Sequence, residues 1–408
     1  MTTRMLEGIR VIDITRILAG PLACQTLADY GAEVIKIERT QTGDDTRTMG
    51  GPYLKDASGK DTSESTTFLG FNRNKKSVTV DLSMPEGQAL IRELAAKSDV
   101  LVENYKLGTL TRYGLGYEDL RRINPRLIYC SVTGFGQDGP YAKRAGYDPI
   151  FQAMGGLMSV TGERDGRPGG GPMRVGLPIV DLMTGMHAAS AILSALYYRD
   201  RVSGTGQYID AALLDVEVSM LSHLNLAYLV SGKVPQRWGN DNPYLVPYQV
   251  LKCKGGQIMV SVGNDYQWGK FCAVLGIPEL ATDPRFAKNA GRLENRDLLV
   301  SLMEAALARE DGNYWSNALE DVGVGCGPIN DVSQTLADPH VRHRAMQIEV
   351  PHPLAGTMPM IRNPMKLSET PVEHRAPPLL GADTRDILMN LLGKTAAECD
   401  ALAAKGAI

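Results

Sequence analysis

The chain has 408 residues, 43% of them hydrophobic, which is length enough for a large buried core and for more than one domain. Its 43 Lys and Arg are balanced by 46 Asp and Glu, for a net charge of −3. The basic footprint of a duplex-binding protein is therefore missing and nucleic acid is not an expected partner, although a local basic cluster can still hold a phosphorylated small molecule. Six scattered cysteines without a C-x-x-C pair read as free thiols of a reducing, cytoplasmic compartment.

The N-terminal "MTTRMLEG" runs directly into a strand pattern, so no signal peptide is expected. Ile9–Ile14 is a short β-branched run, Pro21–Tyr30 has helical period, and Ala32–Glu38 ("AEVIKIE") is a second strand. Strand, helix and strand within about 30 residues make one βαβ unit. The alternation recurs: strand Ser77–Leu82, a helix from Pro85 to Lys97, strand Val100–Glu103, helix Tyr117–Asn124 and strand Leu127–Val132. This pattern predicts an α/β fold with a parallel sheet covered by helices on both faces.

Thr161–Pro172 ("TGERDGRPGGGP") reads as a polar loop, followed by a helix from Leu182 to Arg199. "SGTGQ" at Ser203–Gln207 is a turn leading into "YIDAAL". From Gln257–Val262 a second set of strands and helices extends to Gly325, which predicts a smaller α+β domain. The expected division is a large domain over 1–225, a small domain over 226–330 and a C-terminal segment, 331–408, that returns to the large domain. No apolar run reaches the roughly 18–20 residues of a membrane span, so no membrane association is expected.

The first βαβ turn reads "TRILAGPLA" where a dinucleotide-binding fold needs G-x-G-x-x-G, and no G-x-x-x-x-G-K-[ST] occurs. Phosphates must then be held by side chains. Arg39, Arg73, Lys75, Lys76 and Arg112 recur near strand ends, where open α/β sheets bind ligands. Singly, each also reads as a solvated surface cation. His340 and His343 lack a nearby third ligand, so no metal site is expected, and G-x-S-x-G is absent.

Asp181 follows an apolar run and precedes a helix, so it reads as an N-cap. The same position, beyond a Gly-rich loop at a strand end, also suits a catalytic carboxylate, and helix-start N–H groups would stabilise its anion. Residue chemistry leaves both readings open. "RAGYDPI" at Arg144–Ile150 likewise reads either as a turn or as a phenol and carboxylate beside a cationic loop.

These segments together resemble the class III CoA-transferases, the family of formyl-CoA transferase and carnitine CoA-transferase. The resemblance rests on "VIDITRILAGP", "GAEVIKIER", "FNRNKKS", "VENY", "YGLGYEDL", "AGYD", "VDLMTGMHAA", "GTGQYIDAAL", "CGPIND" and "APPLLGADT", which span essentially the whole chain in order. "GDDTRT", "RWGN" and "VPYQ" are most similar to the succinyl-CoA:glutarate branch, which handles dicarboxylates. The resemblance implies a Rossmann-like large domain, an interlocked homodimer, and CoA thioesters as substrates with no permanently bound cofactor.

By the same resemblance the nucleophile is Asp181, which would pass through an aspartyl anhydride and an aspartyl-CoA thioester. Contacts to CoA carry over onto Arg16, Ile17, Ala19, Arg39, Lys75, Asn104, Tyr105 and Arg112, with Tyr147 and Asp148 beside them. Tyr147 stands where the related α-methylacyl-CoA racemases carry a histidine, and a phenol of ordinary pKa near 10 is a poor proton shuttle at neutral pH, which weighs against racemase activity. The chain also lacks the glycine run that precedes "LKCKG" in formyl-CoA transferase, which weighs against oxalate. A distal substrate carboxylate calls for an arginine, and Arg16, Arg174 and Arg237 are the candidates. The remaining alternative is a non-catalytic CoA-binding protein in which Asp181 is only a cap.

Overall fold

A computed structural model describes residues 4–408. By contacts the chain divides into two compact units, one of residues 4–157, 175–230 and 342–408, the other of residues 158–174 and 231–341. The Gly-rich loop lies in the second unit, where Arg164 pairs with Asp241, and Arg167 with Asp297 at 2.8 Å. That placement differs from the expected division, because ion pairs far apart in sequence hold the loop.

In the first unit the strands are β1 (Arg10–Ile14), β2 (Glu33–Glu38), β3 (Tyr53–Lys55), β4 (Asp61–Ser65), β5 (Lys76–Thr79), β6 (Val100–Glu103), β7 (Ile128–Thr133) and β8 (Tyr208–Ala212). Six of them form one parallel sheet in the order β5-β2-β1-β6-β7-β8. Successive side chains alternate between its two faces. Val11, Val34, Val100, Val102 and Cys130 enter one core, while Ile12, Ile35, Ile37, Leu101 and Tyr129 enter the other. Burial on both faces explains why these strands read as nearly continuous apolar runs.

From β1 the chain moves outward through β2 to β5, then crosses back to β6 on the other side of β1. The loops after β1 and β6 therefore diverge at a topological switch point, where open α/β sheets form a crevice. β3 and β4 form a small antiparallel pair. The C-terminal segment returns to the sheet: Ser77 N–H donates to Asp383 at 2.8 Å and Thr79 N–H to the Thr384 hydroxyl at 3.0 Å, which occupies the outer edge of β5.

The second unit contains an antiparallel sheet of β9 (Tyr248–Cys253), β10 (Gly256–Ser261) and β11 (Gly325–Pro328). Trp268, Phe271, Phe286 and Leu299 form its core. A hairpin of β12 (Gln347–His352) and β13 (Gly356–Ile361) belongs to the first unit and packs Val350, Met358 and Met360 on Leu69.

One helix departs from expectation. Ile179–Ser203, 25 residues, is by length and composition able to cross a membrane, whereas run lengths in the sequence indicated no such segment. A bent pair, Leu213–Met220 and His223–Ser231, passes the same test only if its two helices, 73° apart, count as one span. Val180, Ala188, Ala189, Ile192, Ala195 and Leu196 of the long helix are buried in the sheet core against the helix Ala19–Asp29. These buried positions account for part of its apolarity.

Candidate active site

The loop after β1 is held from below and from the side. Asp13, at the end of the strand, accepts the N–H and hydroxyl of Thr15 at 2.9 and 2.5 Å. Asn104, just beyond β6, accepts the Arg16 N–H at 3.0 Å and donates to the Arg16 carbonyl at 2.7 Å. Ile17, whose N–H donates to Asp44 at 3.3 Å, has φ of 71°. A β-branched residue in the left-handed region costs on the order of 1–3 kcal/mol and persists only where neighbours impose it, which is the work of Asn104 and Asp44 here.

The helix Ala19–Asp29 starts directly after this loop, with no capping side chain. It packs along the helix Ile179–Tyr198, and Gly185 is the contact: a Cβ there would lie 2.7 Å from the Ala19 carbonyl oxygen. Asp181 is one turn before Gly185, so the close crossing brings it toward the loop at Arg16–Ala19. Arg16, Ile17, Ala19, Asn104, Tyr105 and Asp181 line one cleft of about 750 Å³. Tyr147 lines it too, with its side chain 69% exposed.

Asp181 does not cap its helix. The helix begins at Ile179, which puts Asp181 inside the first turn, and the capping is done by Asp148 from another helix. One Asp148 oxygen accepts the N–H groups of Val180 and Asp181 at 2.7 and 3.1 Å, and the other accepts from Gln152 at 2.5 Å. This corrects the reading of Asp181 as N-cap, and it places Asp148, expected beside the ligand, buried beneath the helix start and outside the cleft lining. Burial, aided by the Asp148 charge, pushes the Asp181 carboxyl up to about 7. A helix N-terminus favours an anion, but here its nearest N–H groups are already spent on Asp148.

The remaining expected residues are dispersed. Lys75 is fully buried, its ammonium bonded to Asp13, Asn72 and the Pro21 carbonyl at 2.8, 2.8 and 2.9 Å, so all three donors are satisfied inside the protein. It supports the β1 loop through Asp13 and does not line the cleft. Arg73 is bonded to Asp29 at 2.9 Å, and Lys76 to Glu33 at 2.8 Å. Arg112 is exposed, stacked 5.2 Å from the Tyr113 ring centroid and away from the cleft lining. Arg39 borders a neighbouring pocket of about 160 Å³ that Arg16 and Tyr105 share. Sequence reasoning missed Asp45 and Lys106, which line the cleft; the only signals were the second acid of "GDD" and the lysine after "VENY". Among the described residues no group of three or more His, Cys, Asp or Glu is arranged to hold a metal.

A carboxylate in a deep cleft at the switch point, ringed by cations, suits acyl exchange with an anionic thioester. A profile of CoA-transferase family III matches residues 6–384, and the chain belongs to that family. It is a CoA-transferase, similar across its length to proteins that act on small dicarboxylates. The succinate–glutarate CoA-transferase of Agrobacterium fabrum is 43% identical over 387 residues, 95% of each chain. The succinyl-CoA:glutarate CoA-transferase of Homo sapiens is 42% identical over 392 residues, 95% of this chain and 86% of the relative. Among solved structures, a CAIB/BAIF family protein from Brucella suis superposes with a TM-score of 0.87 at 43% identity, covering 96% of this chain and all of the other.

Proposed function

We propose that the protein moves CoA from succinyl-CoA to another dicarboxylic or similar small acid, with Asp181 as nucleophile. The observation that carries this reading is Asp181 itself, a partly buried carboxyl whose side chain takes no hydrogen bond among the described residues, set in the same cleft as Arg16, Asn104 and Tyr105. The Agrobacterium and human relatives, named for succinate and glutarate, support the choice of substrates.

The carboxylate attacks the thioester carbonyl, the C–S bond breaks and CoA leaves as thiolate, giving a mixed anhydride. The thiolate then attacks the Asp181 carbonyl, the donor acid departs, and an aspartyl-CoA thioester remains. An acceptor carboxylate attacks that thioester, and returning thiolate takes the new acyl group and restores Asp181. Each exchange links species of similar acyl energy, so no external base is required. Water must be kept from the anhydride. Arg39, Asn104 and Tyr105 are our candidates for the CoA contacts, while Arg16, carried over as one of them by resemblance, lies with Asp181 and is weighed instead for the acyl end. Of the three arginines considered for a distal carboxylate, Arg16 lies in the Asp181 cleft, and Arg237 is bonded to Asp165 and to the Glu163 carbonyl.

The enzyme is proposed to work as a homodimer. The helix His223–Ser231 buries none of its residues within the chain, and Leu229 and Val230 are 77% and 80% exposed, which is support for a partner surface.

Incubation with succinyl-CoA followed by hydroxylamine should place a hydroxamate on Asp181. Asp181→Ala should lose the adduct and at least 1000-fold in turnover while still binding CoA. Normal turnover in a folded Asp181→Ala protein would remove the residue from the mechanism.

A further inference from the structure

Between β2 and β3 the chain makes one tight turn, Asp45–Arg47, and its residues divide by what they face. Asp44, before the turn, is buried: it pairs with Lys36 at 2.8 Å and accepts the N–H and hydroxyl of Thr46 at 2.9 and 2.8 Å. Arg47 is buried against Glu38 at 2.8 Å and Glu64 at 3.3 Å, its guanidinium 3.6 Å from the Phe68 ring centroid. With its neighbours anchored inward, Asp45 keeps a side chain 36% exposed that lines the Asp181 cleft. One of its oxygens takes Arg16 at 2.8 Å and the other takes Arg39.

Two guanidiniums on one carboxylate leave a single net positive charge and unused donors. The Arg16 Nε is buried and has no hydrogen-bond partner, and its guanidinium carbon lies 5.5 Å from the Tyr105 ring centroid. A buried cationic N–H without an acceptor is costly, and the rest of this guanidinium, on a side chain 36% exposed, lines the cleft where an anion can approach it. The planar guanidinium suits a carboxylate, and Asp45 with the Tyr105 ring restricts where it can sit.

We propose that Asp45 is a positioning residue that holds Arg16 as the receptor for the terminal carboxylate of the acyl chain, so that the cleft selects dicarboxylyl over uncharged acyl thioesters. This rests on the CoA-transfer reading and deepens it. Without Asp45 the two arginines would form a loose cationic mouth, attractive to the phosphates of any CoA ester whatever its acyl group.

The test compares kcat/KM for succinyl-CoA with that for butyryl-CoA, whose chain ends in methyl where succinyl carries carboxylate. Asp45→Asn is expected to lower the succinyl-to-butyryl ratio roughly tenfold through the succinyl-CoA KM, with butyryl-CoA moving less than about threefold. Asp45→Glu should recover most of the ratio. Arg16→Ala should lower it as far as Asp45→Asn, and the double variant no further, as for one coupled unit. An unchanged ratio in folded Asp45→Asn overturns the proposal, and so does an equal fall for both thioesters. Should Asp45→Asn fail to fold, Asp45→Glu and Arg16→Ala decide by the same ratio. A wild-type protein that transfers CoA from neither thioester and forms no Asp181 adduct would instead overturn the CoA-transfer reading, so the two failures are distinguishable.

Discussion

Asp181 combines two demands that pull its protonation in opposite directions. A nucleophile must be ionised, yet burial and the neighbouring Asp148 hold the carboxyl up to about 7, against an ordinary value near 3.9. Below pH 7 the free enzyme is therefore mostly protonated at Asp181, and kcat/KM should rise with pH to a plateau above that value. Asp148→Asn removes the nearby charge, so the acid limb should move to lower pH in the pH–rate profile. Stability has the converse sign. A carboxyl whose folded-state pKa is raised stabilises the fold in acid, and that contribution is lost as pH climbs through about 7. Asp181→Asn should accordingly raise stability at pH 8 by on the order of 2 kcal/mol, measured by denaturant unfolding, while abolishing transfer.

At the level of elements, the site depends on two helices crossing closely. Gly185 permits that approach, since an added Cβ would meet the Ala19 carbonyl oxygen at 2.7 Å and the Leu22 Cβ at 3.0 Å. Gly185→Ala should destabilise by about 1–3 kcal/mol and raise the acyl-CoA KM, because the displaced helix start carries the Arg16–Leu18 loop; calorimetry and initial rates check both. Gly134 and Gly146, which line the cleft, make similar room for the buried Phe151 ring: a Cβ added at either would lie 2.6 or 2.7 Å from its nearest carbon. The β-branched runs made the parallel strands legible in the sequence, and the six-residue strand at Glu33–Glu38 lies within the run read as Ala32–Glu38. The pair β3–β4 was not legible, and of the tail only short strands and loops were expected, without the β12–β13 pairing. "DTSES" carries no apolar alternation, and it is pairing that makes it a strand, whereas "QIEV" does alternate Ile348 and Val350 with Gln347 and Glu349 but over too few residues to mark its hairpin partner.

For the whole molecule, exposed apolar surface and the two-unit division point to the same question, which is what covers the helix His223–Ser231. In the proposed homodimer a second chain does. Sedimentation at micromolar concentration should then show dimer across the active pH range, with monomer appearing only as the protein unfolds. A folded, active monomer would contradict this. All six cysteines are free, four of them buried.

The sequence by itself determined the parallel α/β core, because alternating β-branched runs and amphipathic helices leave few other ways to bury so much apolar surface. Ordered motifs along the chain singled out Asp181 and the loop after β1 before any geometry was available. Only the tertiary structure decided which charged residues are free to act. Lys75 and Arg39 look alike as cations near strand ends, but one is consumed by Asp13, Asn72 and Pro21 and the other, half-exposed, pairs with Asp45 beside a neighbouring pocket. Likewise local sequence allowed Asp181 to be the N-cap, whereas Asp148 does the capping, since a cap is defined by which N–H groups a carboxylate reaches, and that distance is set by packing across the fold.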